Sequence, residues 1–115
     1  MAKNPEANLL DLTPCRLVNW ETASENQIDL IVPKFKSTRL KKWMKQLGKS
    51  TDVRIHLDEF GSFVWQYCDK KHTVYEIGIK LHDHFGESVE PVFDRLSGFI
   101  RLLMHHQYIT LSSTK

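Results

Sequence analysis

At 115 residues, 41% of them hydrophobic, the chain has the size of one domain and enough apolar side chain for one core. No stretch approaches the roughly 18 to 20 apolar residues that span a bilayer, and the opening MAKNPEANLLDL lacks the apolar centre of a secretory signal, so a soluble cytoplasmic protein is expected. Net charge is +2, yet seven of the 16 basic residues fall between Pro33 and Thr51, a stretch with no acidic residue, which leaves the remainder acidic.

Residues 1–13 show no sustained period and read as a flexible N-terminal arm ahead of a single domain over 14–115. RLVNWETA, from Arg16, sets Leu17, Asn19 and Glu21 against Val18 and Trp20, and QIDLIV places Ile28, Leu30 and Val32 on one face. Two strands joined by the turn residues SEN are predicted, with Pro33 ending the second. A basic insert over 34–49 follows, in which Leu40, Trp43, Met44 and Leu47 recur at helical spacing before Gly48. Arg39, Lys41, Lys42 and Lys45 on its other faces are candidate docking residues for a partner or an anionic surface.

DVRIHL alternates Val53, Ile55 and Leu57 with Arg54 and His56 and reads as a third strand. Asp58 then caps a helix carrying Phe60, Phe63, Val64, Tyr67 and Cys68. DKKH stops it, and Thr73 with Glu76 forms a capping box that starts a second helix, closed by Gly86. A third helix is expected from near Ser88, with Pro91 in its first turn. Its apolar residues, from Val89 to Met104, cover an arc of about 200°, roughly twice the stripe of a one-sided helix, so cover on two sides is expected. QYITL reads as a final strand.

The two cysteines, Cys15 and Cys68, form no CxxC pair and read as free thiols. The histidines do not make a metal set: His82 and His84 point about 200° apart on a helix, and His105 and His106 are adjacent. No glycine-rich phosphate loop or paired nucleophile and base is present, so neither catalysis nor a cofactor is expected.

The order of these elements, with LDEFGSFVWQYCDKKHTVYEI and HFGESVEPVFDRLSGFIRLLMHHQYITL, resembles the PqqD-like proteins. That family includes the peptide chaperone of pyrroloquinoline quinone biosynthesis and the wider class of RiPP precursor-peptide recognition elements. The resemblance implies an α+β, winged-helix-like fold, a three-stranded antiparallel sheet followed by a three-helix bundle. It also implies a non-catalytic role: the leader of a ribosomally made precursor peptide adds as a strand to the third strand, beside the third helix, and is presented to a modifying enzyme, of which radical SAM enzymes are one type. Carried onto this chain, the edge is Val53, Arg54, Ile55, His56 and Leu57, and the wall is Val92, Arg95, Phe99 and Leu103. Where the family has an Asp-Gly turn, this chain has Asp69 and Lys70. The alternatives are an adaptor docking an enzyme or anionic surface through the basic insert, and, third, a winged-helix DNA-binding protein; a homodimer fits any of them. DNA binding ranks last because the third helix offers only Arg95 and Arg101 as basic groups.

Overall fold

A computed structural model of the chain describes residues 9–25, 27–33, 46 and 52–113. Among these residues five strands and three helices follow in the order β1 (Leu12–Arg16), β2 (Asn19–Ser24), β3 (Gln27–Pro33), β4 (Asp52–His56), α1 (Glu59–Gln66), α2 (Val74–Phe85), a 3-10 turn (Gly86–Val89), α3 (Val92–His105) and β5 (Ile109–Ser113). β2, β3 and β4 form an antiparallel sheet in that order, while β1 and β5 form a separate antiparallel pair. The expected helix of the basic insert, its Gly48 cap and the docking residues Arg39, Lys41, Lys42 and Lys45 lie outside the described residues, as do residues 1–8 of the expected arm.

The N-terminal expectation needs correction from Leu9 onward. Leu9 is buried, the Leu10 carbonyl accepts the Tyr75 N–H at 3.1 Å, and β1 pairs with β5 from Leu12↔Ser113 to Arg16↔Ile109. The strand predicted from Arg16 is therefore split, with Arg16 ending β1 and β2 starting at Asn19. Local periodicity could not show this, because the partner of β1 lies at the far end of the sequence.

In the three-stranded sheet the register aligns Trp20, Leu30 and Ile55 on one face and Glu21, Asp29 and His56 on the other. The apolar face packs on α1: Leu30 is fully buried, and Trp20 meets the buried Trp65 edge to face at 6.1 Å. Arg16 closes this corner. Its guanidinium donates to the carbonyls of Trp65 and Gln66 at the end of α1, each at 3.0 Å, and stacks 4.4 Å from the centre of the Trp20 ring. A cation is thereby set against the carbonyl end of α1, where the helix dipole favours it.

The helix starts follow local chemistry. Asp58 accepts the Gly61 N–H at 2.8 Å, and Thr73 and Glu76 exchange side-chain bonds with each other's backbone at 2.8 and 3.1 Å. α3 begins later than expected. Gly86–Val89 forms a 3-10 turn and Pro91 stands at the N-cap, so Val92 is the first residue of the helix. Between α1 and α2, Lys70 holds φ at +67°, the left-handed conformation that glycine adopts most readily. The turn is held around it: the Lys70 N–H donates to the Pro14 carbonyl, and the Asp69 carboxylate accepts the Lys71 N–H and His72 Nδ1.

One buried hydroxyl joins the sheet to the helices. Ser62 Oγ accepts the Ile28 N–H at 2.9 Å and donates to the Leu57 carbonyl at 3.3 Å, spanning the place where β3 and β4 part. Ser62→Ala should leave both backbone groups buried and unpaired, lowering stability by about 1 to 3 kcal/mol in denaturant melts; a loss within error would show that water takes the hydroxyl's place. Lys70→Gly should raise stability by up to about 1 kcal/mol, because a left-handed residue with a Cβ carries a strain of about 1 to 2 kcal/mol, partly offset by the extra freedom of glycine in the unfolded chain. An unchanged melting curve would mean that the turn relieves that strain by other means.

Candidate functional site

β4 is an edge strand: β3 lies on one side of it, and among the described residues no strand lies on the other. The Leu57 N–H donates to the Ile28 carbonyl at 3.0 Å. With the register Leu30↔Ile55 and Val32↔Val53, alternation along an antiparallel ladder then turns the N–H and C=O of Val53 and Ile55 toward β3. Those of Arg54 and His56 point the other way, along the open edge.

The side chains of these two residues do not serve that edge. Both turn back over β3: His56 Nδ1 donates to Asp29 at 2.7 Å, and Arg54 donates to the second Asp29 oxygen at 3.2 Å and to Glu21 of β2. Asp29 is buried beneath them. The His56 hydrogen bond, ahead of the opposing effect of burial and the help of the Arg54 cation, holds the Asp29 carboxyl below its ordinary range. Arg54 and His56 were predicted as peptide contacts, and what they offer at the edge is backbone.

The wall also differs from the expected set. Val92 and Leu103 are 4% and 2% exposed and belong to the core with Leu96 and Ile100, so they are not surface contacts. Arg95 is exposed, donating to the Ser88 carbonyl at 3.1 Å and lying 4.9 Å over the Phe60 ring. Half-buried Phe99 meets Phe60 edge to face at 6.1 Å. A Cβ at Gly61 would stand 3.1 Å from Phe99 Cζ and 3.4 Å from Leu57 Cβ, so Phe99 reaches the corner where β4 turns into α1 because residue 61 has no side chain. Leu102, one turn beyond Phe99, is 52% exposed. Edge and wall thus meet at this corner, with Val53 exposed, Ile55 half-buried and Leu57 buried along the apolar side of β4. Sequence reasoning missed Phe60 and Leu102. The signal for Phe60 was its place two residues after the N-cap Asp58, at the mouth of the corner.

Burial pushes the Cys68 thiol up to about 12, which keeps it protonated and unreactive, and Cys15 is a free, half-buried thiol. Among the described residues no three His, Cys, Asp or Glu side chains gather to hold a metal ion, and no helix is long and apolar enough to cross a membrane. The polar side of the sheet predicts a pH dependence. A carboxylate depressed in the fold contributes stability that is present above the ordinary carboxylate range and lost as pH falls through its folded value. Asp69 and Glu76 are also held low and act in the same window. For Asp69, burial is outweighed by bonds from His72 and the Lys71 N–H; for Glu76, the Thr73 N–H leads. Melting temperature measured across the acid range should therefore fall less steeply for Asp29→Asn than for the parent chain; parallel curves would remove Asp29 as a source of the linkage.

Residues 49–109, more than half of the chain, match the family described as Coenzyme PQQ synthesis protein D (PqqD). The match takes in β4, all three helices and the first residue of β5. No curated protein and no solved structure matches the chain. The matched span contains both the open edge and its aromatic wall, and on it the chain belongs to the PqqD family.

Proposed function

We propose that this chain is a non-catalytic peptide-binding chaperone, which captures the leader segment of a ribosomally made precursor peptide by strand addition and presents it to a modifying enzyme. The family description ties its members to coenzyme PQQ synthesis, and a peptide-modifying enzyme, radical SAM chemistry included, is the partner that such a role requires. One observation carries the reading: the outward backbone groups of Arg54 and His56 lie on the strand whose end abuts the Phe60 and Phe99 rings. A peptide strand needs main-chain partners for affinity and alternate apolar contacts for register, and this corner offers both. In this reading the three-stranded sheet and three helices are a winged-helix-like arrangement acting in the cytoplasm without a cofactor. A DNA-reading role finds less support, since Arg95, one of the two basic groups of α3, is engaged with Phe60 and the Ser88 carbonyl.

The test is an NMR titration of the full chain with the short peptide encoded nearest its gene. Amide shifts should concentrate at Arg54, His56 and the Arg95–Leu102 flank. Phe99→Ala should weaken binding roughly thirtyfold, about 2 kcal/mol for an aromatic anchor at the centre of an interface, with the fold checked by circular dichroism. Arg101→Ala, about 200° round the helix from Phe99, should bind as the parent does. Tight binding that leaves those amides unmoved, or parent-like affinity in a folded Phe99→Ala chain, would overturn strand addition.

A further inference from the structure

The other flank of α3 carries a surface that peptide capture does not use. Phe93 and Phe99 are six positions apart, about 120° round the helix, so Phe93 faces away from the β4 corner. It lies against α2 at Gly78, where a Cβ would stand 2.3 Å from Phe93 Cε1, and the Tyr75 ring stacks on it with centroids 5.5 Å apart and planes 8° from parallel. Beside this stack Gly78, Ile79, Val92 and Phe93 floor a hollow of about 280 Å³, rimmed by His82, Asp83 and Glu90. Tyr75 and Ile79, one turn apart on α2, are 51% and 41% exposed.

The rim is built to hold negative charge. Glu90 is fixed from both sides, one carboxylate oxygen accepting the Val92 N–H at 3.3 Å and the other accepting His82 Nδ1 at 2.5 Å. Asp83 is exposed beside it, and among the described residues no lysine or arginine lines the hollow. The volume lies at the lower end of the roughly 300 to 1,000 Å³ of small-molecule sites. It fits one or two long side chains with an apolar stem and a cationic end, which lay the stem on an apolar floor and carry the charge to the rim.

The complement to such a surface is written in the chain itself. Residues 34–49 hold seven lysines and arginines, no acidic residue, and the apolar Leu40, Trp43, Met44 and Leu47. We propose that the α2–α3 hollow is a self-docking site that receives the basic segment of a second copy of this chain, its cations at Asp83 and Glu90 and its apolar residues on Tyr75, Ile79 and Phe93. The paired residues Pro33 and Asp52 bound the segment at one end of the sheet, and about 17 Å of strand separates that end from Leu57. A helix of about 10 Å diameter lies between the corner and the hollow, and a neighbouring copy can present its segment to the hollow without crossing that helix. The open edge of β4 is left free in such a pair.

Sedimentation of the full chain across concentration and salt tests this. Self-association should weaken as salt shortens electrostatic reach toward the few ångströms of molar ionic strength. Asp83→Asn with Glu90→Gln, the latter keeping an oxygen for the Val92 N–H, should weaken it about tenfold, as two partly exposed charge pairs allow. Reversing Lys41, Lys42 and Lys45 to Glu should do the same without moving the melting temperature. Asp83→Lys chains should recover association when mixed with the lysine-reversed chains, although each associates only weakly alone. A concentration-independent monomer, association indifferent to the hollow, or NMR contacts between residues 40–47 and the hollow in a dilute monomer would each overturn the proposal, the last by placing the segment on its own copy.

Discussion

The Ser62 hydroxyl stands where three directions of the chain meet. At that point β3 begins, β4 has just ended and α1 has completed its first turn, and one buried oxygen serves a donor from one strand and an acceptor from the other. A ladder that simply stopped here would leave two backbone groups unpaired under a helix, and an apolar side chain could not correct that. Because the bridge belongs to α1, the helix is indexed to the sheet, and everything α1 carries on that side is indexed with it. Phe60 and Gly61 are placed against Phe99, so α3 inherits its position relative to β4 through this contact.

The two sides of β4 play different parts. Toward the helices the strand runs from exposed Val53 to buried Leu57, a gradient of apolar side chains ending at the aromatic corner. On the opposite side Asp29 gathers Arg54 and His56, fastening the edge strand to its neighbour by side-chain hydrogen bonds as well as by ladder. An edge strand left with mobile polar side chains could meet an incoming strand in several registers. Here both side chains are occupied, and the aromatic corner remains the distinguishing mark along the edge.

What could be read in the sequence was what local chemistry decides. Asp58, the Thr73 and Glu76 pair and Gly86 mark helix limits through contacts within a turn of themselves, and all three stand where they were expected. Alternation likewise located β3 and β4. Partnership was hidden: nothing near Leu12 announces that Ser113 is its neighbour, and nothing in DVRIH reveals that an aspartate of another strand will draw two of its side chains inward. The arc of α3 was legible as an excess of apolar residues, but not where its centre pointed. Val92 and Leu103 lie next to Phe99 on the helical wheel, and the core takes them, while Phe99 and Leu102 remain at the rim. The position of Lys70 was legible as a missing glycine, and the strained backbone stayed despite the replacement because neighbours on both sides hold the turn.

The pairing of β1 with β5 has a consequence in time. Thr13 donates its hydroxyl to the carbonyl of Ser112 across 99 positions of sequence, and the register along the two strands is equally remote. Closing a loop of that size costs about 4 kcal/mol of chain entropy before any contact returns it, so such pairings form late. During synthesis the first strand emerges long before its partner exists, whereas β4, α1, α2 and α3 follow one another with short connections. The segment that carries the open edge and its wall can therefore assemble first, and the β1–β5 clasp closes over it once residues 109–113 have been made.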